Sequence, residues 1–116
     1  MTRASRSKKI AELNDLFRKG ERPDLGRIML TRGVRDLAAA SPLGDIAVYA
    51  KVQTFDAFTP DNDPYGEHDF GSFEFAGETC FWKIDYYDPS MEAGSEDPAD
   101  EDKTARVLTI MLASEY

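Results

Sequence analysis

The segment Arg106–Leu112 (RVLTIML) sets the first limit on the fold, because both of its alternating sets are apolar. In an extended chain Leu108, Ile110 and Leu112 point one way, and Val107, Thr109 and Met111 point the other. A strand of that kind belongs in the interior of a sheet, covered on both faces. A chain of 116 residues with 41% hydrophobic content can build one core around such a strand and has no length for a second domain.

A hairpin is legible just ahead of it. Phe73 and Phe75 alternate with Ser72 and Glu74, while Cys80, Trp82, Ile84 and Tyr86 alternate with Phe81, Lys83 and Asp85. A two-residue turn at Gly77-Glu78, with glycine at positive φ, pairs Phe75 with Cys80 and Phe73 with Trp82. That register gathers the apolar side chains on one face, and a slip of one residue would scatter them.

Further upstream, Ile10, Leu13, Leu16 and Phe17 form an apolar stripe that predicts a helix over 8–19. Ser7 is its expected N-cap, Gly20 and Pro23 its stop, and Lys8, Lys9, Glu12, Asp15, Arg18 and Lys19 its solvated face. Arg27–Thr31 reads as a short strand closed by Gly33, and Ser41-Pro42 opens a second helix over 43–55. Residues 59–71 and 89–103 are rich in Pro, Gly and acids and read as loops. The order α-β-α-β-β-β predicts an α+β fold, a mostly antiparallel sheet of about four strands with two helices on one face. Residues 1–7 are expected as a flexible basic N-terminus and 8–116 as a single domain. The second face of the sheet then needs a cover: the acidic loop, a partner, or a second copy in a homodimer.

Charge is divided along the chain. The net charge is −8, yet residues 1–53 carry +5 and residues 54–116 carry −13. The acidic half is unsuited to gripping a phosphate backbone. The basic residues Arg3, Arg6, Lys8, Lys9, Arg18, Lys19, Arg22 and Arg27 lack interleaved aromatics, so direct nucleic-acid binding is not expected. Cys80 is the single cysteine, no disulfide can form within the chain, and no apolar run is long enough for a bilayer. A cytoplasmic protein without a membrane partner is the expectation.

Two stretches could carry chemistry. Asp61, Asp63, Glu67, His68 and Asp69 crowd the segment TPDNDPYGEHDFG (59–71), and His68 is the only histidine. Oxygen-rich loops hold hard divalent cations, so a metal-dependent hydrolase or nuclease is one reading. The match to a calcium loop fails at its fifth position, Tyr65, and at its twelfth, Ser72, where a bidentate glutamate is required. No cofactor other than a divalent cation is indicated. Asp, Asn, Pro and Gly are equally the residues of consecutive tight turns, and His68 could serve as a general acid/base or simply bond a neighbouring main-chain group. Cys80 lies mid-strand on the apolar face, where a thiol is ordinarily packing. The second stretch puts Tyr86, Tyr87 and Asp88 at a strand end, followed by Glu92, Glu96, Asp97 and Asp100, a candidate protein-binding surface.

The runs TPDNDPYGEHDFG (59–71), FWKIDYYD (81–88), DPAD (97–100) and RVLTIMLASEY (106–116) resemble the uncharacterised bacterial family called domain of unknown function 3768. Ile10-Ala-Glu-Leu-Asn-Asp15 and Leu30-Thr-Arg-Gly-Val34 are similar to its N-terminal part. The resemblance implies small stand-alone proteins of bacterial genomes and mobile elements, with no established activity or catalytic residues. It points toward a regulator or inhibitor. The expectation is a small acidic, non-enzymatic protein that binds another protein, in one version by imitating nucleic acid, with the metal-dependent enzyme as the alternative.

Overall fold

The structure is a computed structural model that describes residues 2–116. Helix α1 (Arg3–Arg18) begins ahead of the expected start at residue 8, because Thr2 rather than Ser7 caps it by accepting the Ser5 N–H. The basic residues Arg3 and Arg6 are therefore part of that helix and not a separate segment ahead of it. Strand β1 (Gly26–Leu30) follows through a single 3-10 turn at Pro23–Leu25.

Gly33 does not close the strand but sits inside helix α2 (Arg32–Ala39), which the sequence reading left unassigned. Thr31 caps α2 by accepting the Val34 N–H, and Val34 and Ala38, four apart, are fully buried. Glu115 completes that end, its carboxylate accepting from the Thr31 hydroxyl at 2.6 Å, Gly33 N–H at 3.2 Å and Leu112 N–H at 2.8 Å. These bonds hold its pKa below the usual carboxylate range, the Thr31 bond foremost. Helix α3 (Asp45–Gln53) occupies most of the expected second helix and buries Val48 and Val52.

Strands β2 (Phe70–Phe75), β3 (Glu78–Tyr87) and β4 (Ala105–Leu112) complete a four-stranded sheet in the order β1-β4-β3-β2. The α+β class stands, with three helices instead of two and a mixed sheet: β1 runs parallel to β4, the other pairs antiparallel. The intervening helices and hairpin provide the crossover that a parallel pair requires. Strand β4 is interior, as its doubly apolar pattern demands. Leu108 and Ile110 face a core of Leu13, Phe17, Val34, Val48, Val52 and Trp82.

The hairpin register differs from expectation by two residues: Phe73 pairs with Cys80, and Gly71 with Trp82. A two-residue shift keeps every side chain on its face, so the apolar sorting survives. The cause is the indole. A Cβ on residue 71 would lie 2.3 Å from Trp82 Nε1 and 2.8 Å from Phe55 Cζ, so only glycine fits opposite it. The turn is accordingly Ala76-Gly77, both at positive φ (51° and 83°), the type I′ pattern. On the second face of the sheet, Tyr116 brings its own ring against Phe70 and Phe81, with centroids 6.1 Å and 5.7 Å away. The chain's own C-terminus thus supplies part of the cover expected from a loop or a partner.

Candidate functional site

The polar centre of the molecule is built on α1. Asn14 and Asp15 bond the 59–71 loop and Arg18 turns toward the end of α3, and Asn14 and Arg18 are 0% and 1% exposed. Arg18 is not on a solvated face. Its Nη1 donates to the carbonyls of Val52 at 2.7 Å and Phe55 at 3.0 Å, the C-terminal end of α3, where a cation complements the helix dipole. Nη2 donates to Asp15 at 3.0 Å, and the guanidinium lies 5.1 Å from the Trp82 ring centre and 5.5 Å from that of Phe58.

Asp15 carries the link onward. Both of its oxygens stand 3.0 Å from His68 Nδ1. The imidazole stacks on Phe58 with centroids 4.0 Å apart and planes 2° from parallel, while Nε2 lies 3.8 Å from Asp63. His68 therefore bonds a side chain 53 residues away rather than a neighbouring main-chain group. Its φ of 56° is unusual for a residue with a Cβ, and the surrounding contacts hold it there. Asp63, nearly buried, accepts the N–H groups of Glu67 at 3.0 Å and His68 at 3.3 Å and so closes the turn.

A second set of bonds adjoins the first. Asn14 Nδ2 donates to the Glu67 carbonyl at 2.9 Å and to the Tyr86 hydroxyl at 2.8 Å, and that hydroxyl donates to the Glu67 carboxylate at 3.0 Å. Arg106, wholly buried at the start of β4, donates to Asn14 Oδ1 at 2.7 Å and to the Pro98 carbonyl at 2.7 Å. Burial drives the Tyr86 phenol far above its ordinary range and lowers the Arg106 pKa. The Asp69 carboxyl is pushed up to about 6 by burial first, then by the nearby charges of Glu67, Asp63 and Asp85.

The five candidate metal ligands do not converge. Asp63 is spent on backbone N–H groups, Glu67 on Tyr86 and His68 on Asp15, while Asp61 is exposed. Among the described residues no three His, Cys, Asp or Glu side chains are grouped to hold a metal ion. The candidate protein-binding set also divides. Tyr86 is a member of the internal network, its hydroxyl bonded to Asn14 and Glu67. Asp88 accepts from Ser90 Oγ and Glu92 N–H, which holds its pKa low. Asp97 accepts the Ala99 N–H and pairs with Arg6 at 3.3 Å, and Asp100 caps Asp102 at 2.9 Å. Tyr87 is half-buried and bridges Gly94.

These bonds make the acidic loop rigid. Thr104 donates to the carbonyls of Asp97 and Asp100 at 3.0 Å and 2.9 Å and meets Ser95 Oγ at 2.8 Å, knotting residues 95–104 together. Glu92, Glu96 and Asp102 are left exposed on its outside.

Sequence reading missed Asn14, Arg18 and Arg106 as buried groups, though each left a signal. Ile10, Asn14 and Arg18 are spaced by four on the edge of the apolar stripe, and Arg106 shares the parity of Leu108 and Ile110. Among the described residues no helix is long and apolar enough to cross a membrane. A family model described as a protein of unknown function (DUF3768) matches residues 30–115. That span contains Glu67, His68, Tyr86 and Arg106; α1, with the similarity noted at Ile10–Asp15, lies ahead of it. No curated protein and no solved structure matches the chain.

Proposed function

The chain belongs to the DUF3768 family of proteins of unknown function, and from that premise we propose that it is a small non-enzymatic protein that binds a basic surface on another protein. One observation carries the reading: the backbone of the 88–104 loop is tied by its own side chains and leaves Glu92, Glu96 and Asp102 exposed on its outside. A backbone that is already ordered loses little entropy on binding, and the field of the exposed carboxylates steers a cationic partner. Exposed carboxylates carried on an ordered loop are also what imitation of a nucleic-acid backbone would use. The other acids of the loop serve its internal geometry, so the binding set is smaller than the sequence alone suggests. The unpaired, buried Cys80 suits a reducing cytoplasm as the place of action.

The test is capture of partners by the purified chain, their identification, and titration of the purified pair. Replacing Glu92→Gln, Glu96→Gln and Asp102→Asn together should weaken binding by about tenfold or more and flatten its salt dependence. Equal affinity of the triple variant, at low salt and high, would remove the acidic loop from the interface.

A further inference from the structure

We infer that the groove between the N-terminal half of α1 and the Pro64–His68 turn is a second docking site, fitted to an acidic peptide segment with an apolar anchor. The groove encloses about 800 Å³. Ala4, Ala11 and Pro64 give it a small apolar floor, and Tyr65, 65% exposed, forms a ridge along one side.

Charge selects the occupant. Arg3 and Lys8 line the groove and, among the described residues, form no ion pair. Arg6, Arg18 and Arg22, from the same region of sequence, are each matched by a carboxylate. Arg3 lies 5.8 Å from the Tyr65 ring centre, which places a cation beside an exposed aromatic face. Asp15 also borders the groove, but its charge is met by Arg18 and faces His68. Among the described residues, Glu12 is the wall acid without a bonded partner. The Arg3–Lys8 end is thus cationic and the Glu12 end is not, so a bound segment places its acids toward Arg3.

Shape favours a peptide over a compact small molecule. Arg3 to Asp15 spans roughly 18 Å of helix, the length of about five or six extended residues. The far wall is preformed, since Asp63 fixes the turn and Phe58 and Asp15 fix His68, so binding orders little of this chain. The site is separate from the acidic loop and opposite to it in charge preference.

A displayed library of random peptides, selected on the full chain and sequenced, tests this. The expected winners carry Asp or Glu beside an aromatic or aliphatic residue. A synthesised winner should bind about tenfold or more weakly to the Arg3→Glu/Lys8→Glu variant, and not at all once Ser7→Trp fills the groove. It should bind undiminished to the Glu92/Glu96/Asp102 triple variant, so this inference and the acidic-loop reading can fail separately. Arg3 and Lys8 are exposed, and unchanged circular dichroism checks that the variants fold. Winners without acids, or a winner indifferent to the Arg3/Lys8 variant, would overturn the proposal. So would displacement of the peptide by inorganic phosphate alone, which would make the groove a small-anion site.

Discussion

At the scale of single residues the molecule rests on two buried cations that neighbouring structure neutralises in different ways. Arg18 has a carboxylate partner and two closely bonded carbonyls, whereas Arg106 is met by Asn14 and the Pro98 carbonyl, with Glu67 reached only through Tyr86. Removing Arg18 leaves the end of α3 and the Phe55 carbonyl unpaired in a dry site. Arg18→Ala is therefore expected to cost about 3–5 kcal/mol of stability, read as a shift in urea midpoint, and a loss below about 1 kcal/mol would sink this account. Asp69 gives a pH dependence of defined sign. Its pKa rises from 3.8 to about 6 on folding, so the folded state binds the proton more tightly and stability falls as pH rises through that window. Asp69→Asn should flatten that slope, leaving stability near pH 4 little changed and raising it at pH 7 by about 1 kcal/mol after allowance for solvent screening. A variant that loses stability at pH 7 would mean that the carboxylate is held by something favourable. Neither cation was legible from composition: a basic residue on an amphipathic helix is ordinarily solvated, and only its place in the series Ile10, Asn14, Arg18, spaced by four, marks Arg18 as inward.

At the scale of elements, the local patterns in the sequence were informative wherever alternation alone decided the outcome. The interior place of β4 and the apolar sorting of the hairpin followed from period two. Register did not, because a shift of two residues preserves that alternation; what decided it was the space above Gly71 for the Trp82 indole. Helix α2 went unread for a different reason: Gly33 reads as a strand stop although Thr31, a local N-cap, accepts the Val34 N–H, and only the Glu115 bonds to Thr31 and Gly33 reach across more than 80 residues. The candidate site was readable as a polar loop at 59–71, but its attachment to α1 depends on tertiary contacts from Asn14 and Asp15. Gly71→Ala tests the register argument directly. The added methyl must push the indole or Phe55 aside, with an expected loss of about 1–3 kcal/mol and a shift in Trp82 fluorescence. Unchanged stability and emission would show that the glycine is there for another reason.

Across the whole molecule, the charge division along the sequence is partly closed by folding. Arg6 of α1 pairs with Asp97, and Arg22, in the link from α1 to β1, reaches Glu101 at 3.0 Å while also holding Asp24. The basic first half therefore grips the acidic loop's knotted segment at two points, which turns a string of like charges into an attached surface. These pairs are exposed, so salt should screen them, whereas the internal bonds of Thr104 and Ser95 are insensitive to it. The double variant Arg6→Gln/Arg22→Gln is expected to melt below the wild-type chain in low salt, with the gap closing as NaCl approaches 1 M, where the Debye length falls to about 3 Å. Amide exchange at residues 96–102 should rise in the same variant if the pairs also steady the loop. A melting gap that persisted in high salt would mean that the arginine stems act by packing; no gap in low salt would mean that the loop holds its shape through its own hydrogen bonds alone. In that second case a basic partner could recruit Asp97 and Glu101 as well, and the binding array would be wider than Glu92, Glu96 and Asp102.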